Sequence, residues 1–340
     1  MTPRLAKLAY ASSQAARAAW FTAHTMVAST FVPMPARIPR GPFISVPSTA
    51  AVLRDLAGLF RRDWQNIQAG HYPLPWDLAP NPRRVVRQSR LFFADLPAVH
   101  LRRRTSDSQS VPVPDQRLPR YFRQAFHFQS DGYLSQQSAE LYDTQVETLF
   151  VGGADAMRRQ ALPPLVSHLL GRSQPVVADV ACGTGRFLRT LRQAVPQANL
   201  IAVDLSLPYL TQARRWAAGD PMVSTVQASV EALPLAGLDA ITCIYLFHEL
   251  PKRVRPLAAQ ALADALAPGG RLVFVDSIQT GDHPPYDGLL QRFSDNFHEP
   301  YHRDYCHEDL VGLFSAAGLV HRSTERAFFS KVMVFDRPGG

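Results

Sequence analysis

Residues Val177–Phe187 read V-A-D-V-A-C-G-T-G-R-F, and this stretch decides the fold. The small and β-branched residues ahead of the glycines predict a buried strand carrying one acid, Asp179. Gly183 and Gly185 predict a tight turn where bare backbone can approach a ligand, and Arg186–Ala194 has helical spacing. Nineteen residues past Gly185 a second apolar run, Leu200–Val203, ends in Asp204. Strand, glycine turn, helix, then a strand ending in an acid is how an open α/β sheet grips the ribose of a nucleoside cofactor. The dinucleotide version needs a third glycine to seat a pyrophosphate, and that position is Leu188 here. Asp179 would repel a diphosphate. It suits a cation, such as the amino group of a methionine moiety, or it orients the glycine turn from behind.

Downstream, apolar runs and helical patterns alternate. Strands are predicted near 176–181, 199–204, 222–227, 238–246 and 270–276, with helices near 186–194, 208–217, 256–266 and 308–317. The tail, 320–335, reads as a hairpin of two strands. Such alternation implies a mostly parallel sheet with helices on both faces.

The motif D-x-x-C-G-T-G resembles the first motif of class I S-adenosylmethionine (AdoMet)-dependent methyltransferases. Further segments resemble the family in order: Asp204, A-S-V-E-A-L-P at Ala228–Pro234, L-D-A-I-T-C-I-Y-L-F-H-E-L-P at Leu238–Pro251, and L-A-P-G-G-R-L-V at Leu266–Val273. The resemblance covers roughly residues 160–335 and is greatest to the ubiquinone/menaquinone-type small-molecule methyltransferases. It implies a Rossmann-like methyltransferase fold, a mostly parallel seven-stranded sheet with an antiparallel last strand, here preceded by a helical N-terminal extension. It implies AdoMet as cofactor, with Asp204 on the ribose hydroxyls and Ala181, Gly183, Gly185, Leu205 and Tyr245 around the ligand. The family's acid beside the adenine amino group is Ser229 here, which leaves the adenine contact to Val230 backbone and Glu231. In this family the segment before the first strand often folds over the cofactor, and Tyr133 is the candidate for a contact with its carboxylate end.

The charge is unevenly placed. The chain carries +8 overall. Residues 1–125 hold 18 Lys/Arg against 6 Asp/Glu, and the rest 18 against 22. Basic stretches serve nucleic acid, anionic lipid or solvation alike. The densest cluster, Arg102–Arg104, reads as the start of a loop, and no RNA-binding module accompanies it. Residues 3–30, 48–68 and 83–101 have helical spacing, the last with Leu91, Phe92 and Leu96 inward. Pro-rich breaks at Phe31–Pro47 and Pro73–Pro82 and a linker at Thr105–Pro119 separate the elements. We expect residues 1–125 to form a basic, mainly helical extension packed on the sheet. Residues 126–160, with a Ser-capped helix at Ser138–Leu149, would form a cofactor lid, and 161–340 the AdoMet-binding catalytic domain. Ala18–Val32, the most apolar N-terminal stretch, contains His24 and is too short for a membrane span. Membrane-surface contact by this region stays open, as does oligomeric state. Three cysteines without disulfide spacing fit a cytoplasmic setting.

Methyl transfer from a sulfonium is an in-line displacement that needs alignment and, for many acceptors, a base. Ligands sit beyond the carboxyl ends of the strands, so two segments should face the acceptor. After the fourth strand come His248, a candidate base, and Glu249, which either assists or begins the next turn. After the fifth, Gln291–His307 concentrates His298, Glu299, Tyr301 and Tyr305 as candidate catalytic residues, with Phe293 and Phe297 at core spacing. These His and acid residues lack the H-E-x-x-H pattern, and no metal is expected. The expected function is methyl transfer from AdoMet to O, C or N of a small, partly hydrophobic metabolite. Alternatives are C-methylation of a quinone or isoprenoid, and, in another class, an RNA-binding methyltransferase-fold protein or a non-catalytic AdoMet-binding module.

Overall fold

The computed structural model describes residues 2–31, 46–105, 111 and 118–339, apart from the side chains of residues 128 and 294–296. Most of the Phe31–Pro47 connector and of the Thr105–Pro119 linker lies outside the described residues. Seven strands form one sheet: β1 (Val176–Val180), β2 (Asn199–Asp204), β3 (Val223–Gln227), β4 (Leu238–Ile244), β5 (Leu266–Ser277), β6 (Val320–Ala327) and β7 (Ser330–Asp336). Their order is β3-β2-β1-β4-β5-β7-β6, and only β7 runs antiparallel to its neighbours. The order reverses at β1, with β2 on one side and β4 on the other. That switch point opens a crevice at the strands' carboxyl ends.

The N-terminal helices are α1 (Pro3–Phe31), α2 (Thr49–Gln68) and α3 (Pro82–Thr105); α4 (Gln136–Leu149), α5 (Ala154–Arg159) and α6 (Leu162–Leu169) lead into β1. Within the sheet region lie α7 (Arg186–Ala194), α8 (Leu207–Ala217), α9 (Arg255–Ala265), α10 (Asp287–Asn296), α11 (His302–Tyr305) and α12 (Leu310–Ala316). Two apolar cores flank the sheet. Val177, Leu188, Leu191 and Val273 belong to one, and Val180, Ile241, Phe274 and Phe314 to the other. This split follows from strand side chains alternating between faces.

The sequence reading needs two local corrections. The predicted 138–149 helix starts at Gln136, because Ser135 is its cap and accepts from the Ser138 N–H at 3.0 Å. Arg102–Arg104 is not in a loop but in the last turn of α3, where basic side chains complement the helix dipole.

The extension is held by buried ion pairs as much as by apolar packing. On α1, Arg17 reaches Glu147 of α4 (2.6 Å), Asp155 of α5 (2.8 Å) and Asp77 (2.9 Å). Arg186, the first residue of α7, joins the same cluster through Asp77 (2.5 Å) and Asp155. On α2, wholly buried Asp63 pairs with Arg159 (2.6 Å) and accepts from the Tyr10 and Tyr72 hydroxyls at 2.6 and 2.7 Å.

Candidate active site

A cleft of about 690 Å³ opens at the switch point. Its floor is made by residues just past β1, β2 and β4. Two of them, Ala181 (φ 59°) and Tyr245 (φ 58°), sit in the left-handed region that L-residues avoid, at the ends of adjacent strands. Strained backbone of this kind collects where a ligand is gripped. Gly183 also turns left-handed (φ 56°), and its missing side chain leaves the loop backbone bare. Asp204 ends β2 and accepts from the Gly183 N–H at 2.8 Å and the Ser206 N–H at 2.7 Å, one per oxygen. Burial pushes its carboxyl up to about 6, while those backbone donors pull it down. Each oxygen keeps lone-pair capacity facing the cleft.

The cleft's roof comes from the segment before β1. Ser206 donates to the Tyr133 carbonyl at 2.6 Å, fixing that loop over the β2–α8 turn. Tyr133, Tyr142 and Tyr209 meet edge to face, with centroids 5.2–6.0 Å apart. Tyr121 donates to both Glu231 oxygens at 2.8 Å, closing the end near Ser229 and Val230.

Beside the cleft stands an acid/base group. His248 Nδ1 lies 2.5 Å from Asp276 Oδ1, at the end of β5. Asp276 is fully buried and accepts from the Phe247 N–H (2.8 Å) and Ser277 N–H (2.7 Å), so its orientation is fixed. Burial would lower the His248 pKa, but Asp276, with Glu249 and Glu299, outweighs it and raises it to about 9. The Asp276 carboxyl is held below the usual range: burial opposes ionisation, and His248 more than offsets it. Glu249 lines the cleft, accepts from the Tyr133 hydroxyl at 2.6 Å, and lies 3.7 Å from His248 Nε2. Burial raises its carboxyl to about 7. Glu299 is 3% exposed, and burial, then the neighbouring Glu249, push its carboxyl well above the usual range. His127 Nε2 stands 3.1 Å from Glu299 Oε1, and burial lowers that imidazole to about 3. Burial thus disfavours charge on both members of the His127–Glu299 pair, whereas the charges of His248 and Asp276 stabilise each other.

Of the residues expected at the cofactor, Tyr133, Ala181, Gly183, Asp204, Leu205, Ser229, Val230 and Tyr245 line the cleft. Three do not. Asp179 points into the sheet's flank, where it accepts from Thr242 at 2.7 Å; its Oδ2 has no partner among the described residues, and burial raises its carboxyl to about 7. Gly185 instead packs against α8: a Cβ there would meet Trp216 at 2.3 Å and Ala213 at 2.8 Å. Glu231 is taken up by Tyr121. Of the expected catalytic residues, His248, Glu249 and Glu299 come together. His298 bonds Gln124 (3.0 Å), as does the Tyr301 hydroxyl (2.9 Å). Tyr305 is corrected to a core residue: it is wholly buried, and its hydroxyl donates to the Ser277 carbonyl at 2.8 Å.

Residues 177–270 match the family model described as "Methyltransferase domain". A demethylmenaquinone methyltransferase of Deinococcus radiodurans is 32% identical over 156 residues, 45% of this chain and 60% of that protein. This match and this relative support a class I AdoMet-dependent methyltransferase domain in the chain. A ubiquinone/menaquinone biosynthesis C-methyltransferase of Syntrophotalea carbinolica is 32% identical over 119 residues, 35% of this chain and 50% of that protein. The chain thus spans half to about 60% of the length of these curated relatives. Human N-acetylserotonin methyltransferase, solved with S-adenosylmethionine, overlays 61% of this chain and 57% of its own at TM-score 0.46 and 16% identity.

AdoMet is the cofactor of this family, and the cleft fits it. Asp204 has lone pairs for a ribose diol, and Gly183 leaves room for close backbone approach. The Tyr133, Tyr142 and Tyr245 rings suit a sulfonium, whose charge is attracted to aromatic faces. Among the described residues no cluster of His, Cys, Asp or Glu is arranged to hold a metal, and no helix is long and apolar enough to cross a membrane.

Sequence reasoning missed Asp276 and His127. The first carried a usable signal: L-V-F-V-D is an apolar strand ending in an acid, the pattern that singled out Asp204. His127 carried none, because its place depends on how the 126–129 turn meets the 297–299 segment. There its own N–H donates to the His298 carbonyl at 3.2 Å.

Proposed function

We propose that this protein transfers a methyl group from AdoMet to O, C or N of a small, partly hydrophobic acceptor. His248 is the base and Asp276 its positioning residue. The observation that carries this reading is the Asp276–His248–Glu249 array at the rim of the nucleoside cleft. Bound AdoMet would supply an electrophilic methyl carried on a positively charged sulfur. The chain's own residues do the rest. Asp204 would hold the ribose, the tyrosine roof would exclude water, and His248 Nε2 would take the acceptor's proton as the methyl leaves the sulfur, which departs as a neutral thioether. In the free protein His248 holds its proton at pH 7. It becomes a base as pH rises towards 9, or when a cation settles in the cleft and disfavours the imidazolium. Buried, unpaired Cys182, Cys243 and Cys306 support a cytoplasmic setting.

The test pairs calorimetry with labelling. Wild type should bind AdoMet and pass label from its methyl group to one component of a metabolite extract. Asp204→Ala should lose AdoMet binding, and His248→Ala should keep it while losing transfer. Retained micromolar affinity in Asp204→Ala would overturn the cofactor site, and unchanged turnover in His248→Ala the assignment of the base.

A further inference from the structure

A second cavity lies on the other side of the acid/base group. It measures about 1,050 Å³ with its open mouth included. Phe92, Leu96 and Val99 of α3, Val146 and Leu149 of α4, and Phe297 form its apolar walls, and the end of α1 contributes Thr25 and Ala28. The basic extension therefore supplies most of a chamber, which none of its sequence patterns suggested.

Two observations join this chamber to the cleft. Tyr142 faces the cleft, while Gln145, Val146 and Leu149 face the chamber; these lie three, four and seven residues along one face of α4. The two spaces are thus ~5–10 Å apart along the helix axis. Between them stands His127, which lines the chamber and approaches Glu299, itself beside cleft-lining Glu249. His127 has φ 54°, a conformation kept only where surrounding structure enforces it.

We propose that this chamber holds the methyl acceptor, and that the acceptor is an uncharged, ring-bearing molecule with a hydroxyl group directed at the partition. Phe92, Leu96 and Val99 give an apolar wall for a ring-bearing body. The wall's ionic groups are engaged by the protein: Asp95 accepts from Ser130 at 2.6 Å, and the Arg103 guanidinium lies 5.2 Å from the Phe297 ring centre. Gln145 Oε1 is buried with no hydrogen-bond partner among the described residues, so the chamber offers a free acceptor for a ligand O–H. The proposal rests on the methyltransferase reading of the neighbouring cleft, because only that makes the occupant an acceptor.

The experiment uses 2-naphthol, followed by its own fluorescence, with AdoMet binding measured in parallel by calorimetry. Wild type should bind 2-naphthol saturably. Leu96→Trp, which fills the chamber, should weaken that binding at least tenfold and leave AdoMet affinity within twofold. Should Leu96→Trp fail to fold, the smaller Val99→Phe serves, with the same loss expected. Unchanged 2-naphthol affinity in the folded variant, or no saturable binding to wild type, would overturn the chamber assignment. A wild type that binds 2-naphthol but not AdoMet would instead sustain the chamber and overturn the methyltransferase reading.

Discussion

Asp276→Asn isolates the charge that sets His248. The substitution keeps side-chain volume, removes the negative charge 2.5 Å from Nδ1 and turns one accepting oxygen into an N–H donor. With His248 raised to about 9, about 1% of it is neutral at pH 7. Without Asp276, burial acts against the imidazolium with only Glu249 and Glu299 opposing, and the midpoint should fall to about 6.5 or below. The same shift has a stability consequence. A histidine raised from about 6.5 to about 9 contributes roughly 2–3 kcal/mol at pH 7, on the scale of breaking a buried ion pair. The sign is fixed by linkage. The raised histidine stabilises fully below its unfolded value and loses that contribution as pH rises through about 9. The depressed Asp276 contributes above its unfolded value and loses it as pH falls through the lower folded one. Wild type should therefore exceed Asp276→Asn in stability across a window from about pH 4 to 9. Imidazole NMR titration, with urea denaturation at several pH values, measures both effects. A wild-type His248 titrating near 6.5, or a midpoint within half a unit of wild type in Asp276→Asn, would refute the reasoning.

Three further outcomes follow from buried groups. Arg17→Met leaves Glu147, Asp155 and Asp77 short of a cation and should cost ~3–5 kcal/mol in urea denaturation; a loss under 1 kcal/mol would mean the cluster is not structurally coupled. Gly185→Ala places a methyl against Trp216 and Ala213 at a positive φ of 77° and should cost roughly 2–4 kcal/mol, so near-neutral stability would contradict the packing described. Glu299→Gln removes a carboxyl whose charged form burial disfavours in the folded protein but not in the unfolded chain. Its stability advantage over wild type should therefore grow above pH 5, by up to ~1.4 kcal/mol per pH unit, and parallel pH curves would show Glu299 ionised in place.

The catalytic half was legible because local chemistry fixes it. A glycine turn needs its left-handed backbone, and a ribose needs an acid at a strand end, so Gly183 and Asp204 announce themselves at fixed spacing. The strand predicted at 270–276 begins earlier, at Leu266, because Leu238 pairs with Leu266 across a register shift. No hydrophobic pattern encodes such a shift. The acid/base group was half legible. His248 and Glu249 follow a strand directly, but Glu299 and His127 meet only in three dimensions. Within Gln291–His307, aromatic density did not distinguish Tyr305, which supports the core, from Phe297, which lines the chamber. The extension was the least legible part. Its charge left nucleic acid, anionic lipid and solvation open, yet Arg17 sits in a buried ionic cluster and Arg103 against an aromatic ring.

That burial bears on how the two cavities stay in register. Arg17 and Arg186 share Asp77 and Asp155, and Arg186 is the residue immediately after the glycine turn. Thr184, inside the turn, donates to Asp143 of α4 at 2.9 Å. The helix that walls the chamber is thus bonded to the loop that would hold the methyl donor, and α1 is bonded to that helix through Glu147 and linked to Arg186 through the shared acids. Ionic contacts have defined directions, whereas apolar packing tolerates sliding by fractions of an ångström. In-line transfer is sensitive to displacements of that size. An extension attached only by hydrophobic contact would leave an acceptor in the chamber loosely set, so on the proposed reading the buried arginines would serve alignment as well as stability.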